Sequence, residues 1–195
     1  MADASLHILI IDDDAVRASI IEDGLREAEC QQVSVIADMR GLLSQIVAAD
    51  PDVIFIGLEN PNRDVLEQMF QVSRTVQRPI AMFVDRSDAA SIEAAIDAGV
   101  SAYVVDGLRK ERVKPILDMA ISRFNAFSRL RAELDRTKQA LEERKVIDKA
   151  KGILMKTRGI GEEEAYALLR RTAMNESRRV ADIAQGLVTA SKLLG

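Results

Sequence analysis

The stretch that decides the fold lies near the start of the chain, where residues 6–14 have the sequence LHILIIDDD. A compact apolar run followed at once by three carboxylates is typical of a buried strand that ends at a polar edge. Four more strand-like segments follow, and a helix-like segment comes after each strand. These strand-like segments lie at 33–37, 53–56, 79–84 and 102–105. Because strands buried on both faces and separated by helices form parallel sheets, we predict a doubly wound α/β domain over residues 1–120.

The composition argues against most kinds of enzyme. The 195 residues include one cysteine, Cys30, and one histidine, His7. A lone cysteine cannot form an intrachain disulfide or a zinc site, and a lone histidine disfavours His-based nucleophilic catalysis. The apolar runs are far shorter than the ~20 residues that span a bilayer. We expect a cytoplasmic protein that is not an enzyme and does not contact a membrane.

The charge is unevenly distributed along the chain. Residues 1–134 carry 14 Lys+Arg and 22 Asp+Glu, a net charge of −8, whereas residues 135–195 carry 13 and 9, a net charge of +4. An acidic first part and a basic second part suggest two modules with different partners. The basic part is a candidate binder of polyanions.

A long helix is predicted over residues 110–142, with a repeat close to that of a coiled coil. Its apolar positions recur every three or four residues, with one break in register. They are Val113, Leu117, Ala120, Phe124 and Phe127, and then Leu130, Leu134, Thr137 and Leu141. We expect a homodimer through residues 113–141. The alternative is a helix that packs only on its own domain.

The last part of the chain, residues 143–195, has the pattern of a small three-helix module, with helices at about 143–157, 162–173 and 178–193. Each predicted helix has one apolar face, and cations gather elsewhere. Two arginine pairs flank the turn before the third helix, where converging guanidinium groups suit phosphate. The candidate RNA-binding residues are Lys149, Lys151, Tyr166, Arg170, Arg171, Arg178 and Arg179. The alternatives are a core position for Tyr166 and a merely solvated face for the arginines.

Residues 6–120 resemble the receiver domain of bacterial response regulators, which has a flavodoxin-like fold. The resemblance rests on IIDDD at 10–14, on PDVIFIGLENPNRD at 51–64 and on AGVSAYVV at 98–105. Receivers carry a phosphoacceptor aspartate at the end of strand three, where this chain has Gly57. They carry Ser or Thr after strand four and Lys after strand five, where this chain has Asp85 and Asp106. Glycine has no nucleophile, so the chain cannot form an aspartyl phosphate at that position.

The departures leave a degenerate phosphoacceptor site that consists of Asp12, Asp13, Gly57, Asp85 and Asp106. We expect its four carboxylates to crowd one pocket with no cation among them. One interpretation is a divalent cation held by Asp12 and Asp13 without phosphotransfer. The second is a solvated acidic rim that tunes a protein interface, with no cofactor. The third is phosphorylation of a neighbouring residue such as Glu59 or Asp64, which the lack of a phosphate-pairing lysine disfavours. We therefore expect control by a partner protein and not by a kinase.

Residues 140–193 resemble the ANTAR domain of AmiR/NasT-type transcription antiterminators. The matching residues are Ala150-Lys151-Gly152, Met155, Glu164-Ala165-Tyr166, Leu169-Arg170, Ala173-Met174, Arg179, Ile183 and Ala184. The acidic half looks most like the NasT branch. The resemblance implies binding to paired stem-loops in leader mRNA, which prevents termination at nitrate and nitrite assimilation genes. It also implies restraint by a nitrate/nitrite-sensing, NasS-like protein.

Two other functions remain open from the sequence. Three short helices with basic residues also suit a DNA-binding response regulator. A signalling adaptor that binds no nucleic acid would need the basic module only for protein contacts. Charge alone does not separate these possibilities.

Overall fold

A computed structural model describes residues 5–59 and 63–194 of the chain. Residues 60–62 of the strand-three motif therefore lie outside the described part. The chain divides into two compact units, Met1–Ser128 and Arg129–Gly195, and each is described by itself.

The first unit alternates strands and helices. Its strands are β1 (His7–Ile11), β2 (Gln32–Ile36), β3 (Val53–Leu58), β4 (Ile80–Val84) and β5 (Ala102–Val105). Its helices are α1 (Ala15–Glu27), α2 (Leu42–Ala49), α3 (Arg63–Thr75), α4 (Ala89–Asp97) and the beginning of α5 (Lys110–Arg158). The strands form one parallel sheet in the order β2-β1-β3-β4-β5. The predicted doubly wound fold is confirmed.

The sheet separates two apolar cores, because successive side chains of a strand point to opposite faces. Leu9, Ile54 and Met82 belong to the core that α2, α3 and α4 cover. Ile8 and the stacked pair of Phe55 and Phe83, with ring centroids 5.7 Å apart, belong to the core under α1 and α5. The strands are apolar on both faces since helices cover both.

The start of α5 completes the second of these cores. Val113, Leu117 and Ala120 are fully buried there. A Cβ added to Gly24 in α1 would lie 2.7 Å from the Cβ of Val113, so the two helices approach closely at this glycine. The predicted dimer stretch, residues 113–141, is therefore wrong in its first part, because these side chains are already packed within their own domain.

Helix α5 is a single helix of 49 residues. It passes without interruption through residues 142 and 143, where the sequence pattern suggested one helix ending and another beginning. The physical reason is that the segment between Pro115 and Gly152 contains neither proline nor glycine, so nothing breaks the backbone hydrogen bonding.

The second unit packs the end of α5 against α6 (Glu162–Asn175) and α7 (Val180–Leu194). Its core is small and uses alanines at the closest approaches. The fully or nearly buried members are Ala150, Leu154, Ala165, Leu169, Ala184 and Val188. Gly159 lies between α5 and α6 with a φ of 69°, a left-handed conformation that glycine adopts without strain. Within the described residues, none of the helices combines the length and the apolar character that a membrane span requires.

Candidate nucleic-acid interface and degenerate receiver site

The register of the sheet brings the end of β1 next to Gly57. Ile11 pairs with Ile56, so Asp12 follows β1 beside Gly57 of β3. The Asp12 side chain is buried, and it accepts two hydrogen bonds from the guanidinium of Arg17. Arg17 Nε donates to Oδ2 at 3.1 Å, and Arg17 Nη2 donates to Oδ1 at 2.8 Å. The expectation that the acidic pocket contains no cation is wrong.

Local helix capping explains why Arg17 lies in this position. Asp14 caps the N-terminus of α1 and accepts from the amide of Val16 at 2.7 Å and from the amide of Arg17 at 3.1 Å. The amide hydrogen bonds, that of Arg17 first and that of Val16 second, hold the pKa of Asp14 below its ordinary value. Because Arg17 lies in the first turn, its side chain reaches back to Asp12 and also contacts Asp13, with Nη2 3.3 Å from Oδ1. The hydrogen bond to Asp12 raises the pKa of Arg17.

The other two carboxylates of the degenerate site are exposed to solvent. Asp85 follows β4 and Asp106 follows β5. Asp106 has a φ of 47°, and its amide donates to the carbonyl of Val84 at 2.9 Å. These aspartates form an acidic rim at the carboxyl edge of the sheet.

A divalent cation does not fit this arrangement. Both oxygens of Asp12 already accept hydrogen bonds from Arg17, and Oδ1 also accepts from the amide of Asp14 at 2.9 Å. In the described part of the chain, no three or more acidic, histidine or cysteine side chains are arranged to hold a metal ion. The interpretation of Asp12 and Asp13 as metal ligands is therefore not supported by the geometry.

The exposed face of α6 carries two arginines and a tyrosine. Ala165, Leu169 and Ala173 are buried, and helical spacing turns Tyr166, Arg170 and Arg171 to the outside. Tyr166 is 44% exposed, so it is not a core tyrosine. A shallow groove of about 370 Å³ lies along this face. Its lining residues are Glu163, Tyr166, Ala167, Arg170, Arg171, Met174 and Asn175. We name this surface the α6 groove.

The two arginine pairs differ in what surrounds them. Arg178 Nη1 lies 3.2 Å from Glu176 Oε2. Arg179 binds Oε1 of Glu143 in α5 and Oδ1 of Asp182 in α7, both at 2.9 Å. These contacts, first with Asp182 and then with Glu143, raise the pKa of Arg179.

Arg170 and Arg171, by contrast, form no ion pair with any carboxylate in the described part of the chain. The structure brings them together with Tyr166 in the α6 groove but does not place Arg178 or Arg179 among its lining residues.

The two candidate lysines also differ. Lys149 is exposed on α5. Lys151 is only 16% exposed, and its Nζ lies 2.6 Å from Asp148 Oδ1 and 2.7 Å from Glu162 Oε1. The pKa of Lys151 is raised by its hydrogen bonds to Asp148 and Glu162. Lys151 therefore connects α5 with the first turn of α6, a contact within the unit.

Five residues of these sites were not predicted from the sequence, namely Arg17, Glu163, Ala167, Met174 and Asn175. Arg17 was absent from the candidates, although a cation in the first turn after a capping aspartate is placed to reach the carboxylates before it. Met174, 72% exposed, and Asn175 line the α6 groove. Met174 lies three residues after Arg171, and this spacing placed it on the same helical face.

The fold defines a two-module protein in which a receiver fold precedes a small helical module. The Response regulator receiver domain model matches residues 8–118, and the ANTAR domain model matches residues 135–188. A CheY-like receiver domain protein from Methanospirillum hungatei has the same fold, with a TM-score of 0.53 and 18% identity over 63% of this chain and 98% of that chain.

The chain belongs to the response regulator receiver family and, with its ANTAR domain, to the AmiR/NasT-type antiterminators, an RNA-binding family. The Transcriptional regulatory protein PdtaR of Mycobacterium tuberculosis is 28% identical over 187 residues, covering 93% of this chain and 91% of that protein. The Nitrate regulatory protein of Klebsiella oxytoca is 39% identical over 80 residues, which are 41% of this chain and 20% of that protein.

Proposed function

We propose that this protein is a transcription antiterminator that binds paired stem-loops in leader mRNA and thereby prevents termination. The observation that carries the proposal is the α6 groove, in which two arginines without carboxylate partners lie beside an exposed tyrosine. We propose that the protein regulates without catalysing a reaction and acts in the cytoplasm, where nascent transcripts are made.

The chemistry of the α6 groove favours RNA over a protein ligand. Guanidinium groups bind phosphate through two parallel hydrogen bonds, and neither Arg170 nor Arg171 must first release a carboxylate. Tyr166 offers a ring on which an unpaired base of a loop can stack. We assign weaker contacts with the RNA to Lys149 and Arg178, which do not line the groove. Lys151 and Arg179 act through the structure of the helical unit, since their charges are already paired.

A homodimer would present two copies of the groove to two stem-loops. Phe127, Leu130, Leu134 and Leu141 form an exposed apolar stripe on α5, at the spacing of a coiled coil. We propose that a second copy covers this stripe, over residues 127–141 and not over the whole of 113–141. Two linked modules bind a two-element RNA more tightly than one because the second contact is intramolecular.

Charges beside the stripe favour a parallel arrangement. In the heptad that starts at Phe127, Glu133 takes a g position and Lys138 the following e position, and both are exposed. A parallel pair places Glu133 of one helix opposite Lys138 of the other. An antiparallel pair would instead oppose the basic e positions, Arg131 and Lys138.

The regulation that we propose is release from a NasS-like protein that senses nitrate or nitrite. Similarity to the Nitrate regulatory protein of Klebsiella oxytoca supports nitrate assimilation genes as the target. The acidic rim with Asp85 and Asp106 supports docking of a protein at the carboxyl edge of the sheet. In this proposal, release from the partner protein replaces phosphorylation as the signal, because Gly57 offers no phosphoacceptor.

The test is a comparison of ligands and of salt dependence by fluorescence anisotropy. We expect the full chain to bind a two-stem-loop leader RNA more tightly than duplex DNA of equal length. The double variant Arg170→Ala/Arg171→Ala should weaken RNA binding and reduce the slope of log K against log salt by about 0.7 to 0.9 per lost phosphate contact. Lys192→Ala, which removes an exposed cation from α7, is the matched control and should leave both quantities unchanged.

Two outcomes would contradict the proposal. Tighter binding to duplex DNA would identify a DNA-binding response regulator. Absence of binding to either nucleic acid at low salt would identify a signalling adaptor whose basic half contacts protein.

A further inference from the structure

The degenerate receiver site contains a complete internal ion pair. The Asp12 carboxylate is buried, and the side chain of Arg17 beside it is 12% exposed. Two of the three hydrogen bonds that Asp12 accepts come from the guanidinium, at 3.1 Å and 2.8 Å, and the third comes from the amide of Asp14. The carboxylate thus has a positive partner within its own chain.

The space beside the pair depends on Gly57. A Cβ built on Gly57 would overlap Oδ2 of Asp12 and would lie 2.7 Å from its Cγ. It would also lie 3.5 Å from Nε of Arg17. The Asp12 carboxylate therefore occupies the volume into which any side chain at residue 57 would extend. Glycine at this position removes the acceptor and also makes room for the Asp12–Arg17 pair.

A second cation cannot bind these oxygens while Arg17 is present. A divalent ion at Asp12 would lie next to the guanidinium, and the repulsion between two positive groups in a partly buried site is strong. Moreover, three donors already use three of the about four in-plane acceptor positions of the Asp12 carboxylate.

We propose that Arg17 is the resident cation of this site, taking the place that a divalent metal would hold between carboxylates at the carboxyl edge of a parallel sheet. Gly57 is the residue that permits this replacement. The buried Asp12 carboxylate is therefore neutralised by Arg17 of its own chain, and the state of this site does not depend on a metal ion or on a phosphoryl group. This inference concerns the first unit and is independent of RNA binding by the second.

The first experiment measures Mn²⁺ binding by electron paramagnetic resonance on the full chain. Wild type should leave Mn²⁺ free at millimolar concentration. Arg17→Gln should bind Mn²⁺ at least tenfold more tightly than wild type, and Arg17→Gln/Asp12→Asn should lose this binding. Arg26→Gln is the matched control, because it removes an exposed arginine of the same helix that pairs with Glu22 at 2.6 Å. It should behave as wild type.

Two results would overturn the proposal. One is Mn²⁺ binding by wild type that is as tight as in Arg17→Gln and is lost in Asp12→Asn. The other is a folded Arg17→Gln variant, by circular dichroism, that leaves Mn²⁺ free.

The second experiment tests the role of Gly57 and does not require Arg17→Gln to fold. The midpoint of thermal unfolding is measured for Gly57→Ala in the wild-type chain and in an Asp12→Ala background. We expect Gly57→Ala to lower the midpoint by about 4 °C or more in wild type and by much less without the Asp12 carboxylate. Gly186→Ala, with no atom within 4 Å of its added Cβ, is the control. Equal effects of Gly57→Ala in both backgrounds would refute the steric link between Gly57 and Asp12.

Discussion

Two of the four arginines that flank the turn between α6 and α7 are bound to carboxylates, and two are not. Arg179 joins α7 to α5 through Glu143, and Arg178 lies near Glu176. Arg170 and Arg171 face the groove. An arginine that must break an ion pair before it binds phosphate gains less from the new contact, so affinity for RNA should depend mainly on the two groove arginines.

At the residue scale, Tyr166 gives the first prediction. Tyr166→Ala should weaken binding to leader RNA by about tenfold to a hundredfold, since base–aromatic stacking contributes ~1–3 kcal/mol. Tyr166→Phe keeps the ring and should bind nearly as wild type. Anisotropy titrations with the same RNA measure both. Wild-type affinity of the Tyr166→Ala variant would contradict a stacking role.

Lys151 gives a prediction about pH. The folded state raises the pKa of Lys151 and lowers that of Asp148 through their hydrogen bond. Because the pKa of Asp148 is lower in the folded state, its ionised carboxylate stabilises the fold above about pH 3.9. This stabilisation is lost as the pH falls through the pKa of the folded state. Because the pKa of Lys151 is higher in the folded state, its charged ammonium group stabilises the fold below about pH 10.4. This stabilisation is lost as the pH rises through the pKa of the folded state.

The variant Lys151→Met should therefore have a lower thermal midpoint than wild type between about pH 4 and pH 10, and the difference should shrink on either side. Lys149→Met, which alters an exposed lysine of the same helix, serves as the control. Thermal denaturation followed by circular dichroism over this pH range is the measurement. A difference that does not change with pH would mean that packing, and not charge, is responsible.

At the scale of the elements, α5 has three successive roles. Its first turns close the receiver core through Val113 and Leu117, its middle turns carry the exposed stripe, and its last turns enter the core of the helical unit through Ala150 and Leu154. The middle turns carry a row of four exposed large apolar side chains, Phe127, Leu130, Leu134 and Leu141. A change there should alter assembly and leave both cores intact.

Leu134→Lys tests the proposed coiled coil. It places a charge in the middle of the stripe, so the dimer should dissociate to a monomer while the helical circular dichroism signal of the two units is retained. Ala132→Lys adds the same charge at an exposed position off the stripe and should remain dimeric. Sedimentation equilibrium distinguishes the two results. A Leu134→Lys variant that stays dimeric would place the interface elsewhere.

Loss of the dimer should also affect RNA binding in a specific way. The monomeric variant should bind a single stem-loop as wild type does but should lose the additional affinity for a two-stem-loop RNA.

At the scale of the whole molecule, we propose that the acidic unit receives the signal and that the basic unit binds RNA. The receiver unit contains the internal Asp12–Arg17 pair and no acceptor at Gly57, so we expect the signal to arrive as a protein contact and not as a phosphoryl group. The helical unit carries the α6 groove.

We therefore expect acetyl phosphate neither to modify the protein covalently nor to alter its affinity for RNA. Incubation with acetyl phosphate and Mg²⁺ should give no adduct of about 80 Da, the mass of a phosphoryl group, and should leave RNA affinity unchanged. Intact-mass spectrometry and anisotropy measure the two effects. A stable adduct accompanied by altered RNA binding would show that another residue has taken the role of the acceptor.

Much of the architecture follows directly from the order of residues. Short apolar runs with helices between them predict a parallel sheet, because an apolar strand must be covered on both faces. Gly57 excludes aspartyl phosphate at its position by its chemistry, whatever surrounds it. The continuity of α5 through residue 142 also follows from the absence of glycine and proline between Pro115 and Gly152, although the pattern alone suggested an end near residue 142.

Only the tertiary structure decided which charges are free. Arg179 and Glu143 are 36 residues apart, and Lys151 and Glu162 are 11 apart, so their pairing depends on how the helices pack and not on local pattern. The burial of Val113 and Leu117 also depends on tertiary packing. Because these side chains are covered by their own domain, the first part of the predicted dimer stretch is not available to a second copy. Arg17 reaches Asp12 because the cap at Asp14 and the register between β1 and β3 bring the arginine, the carboxylate and Gly57 to one point in space.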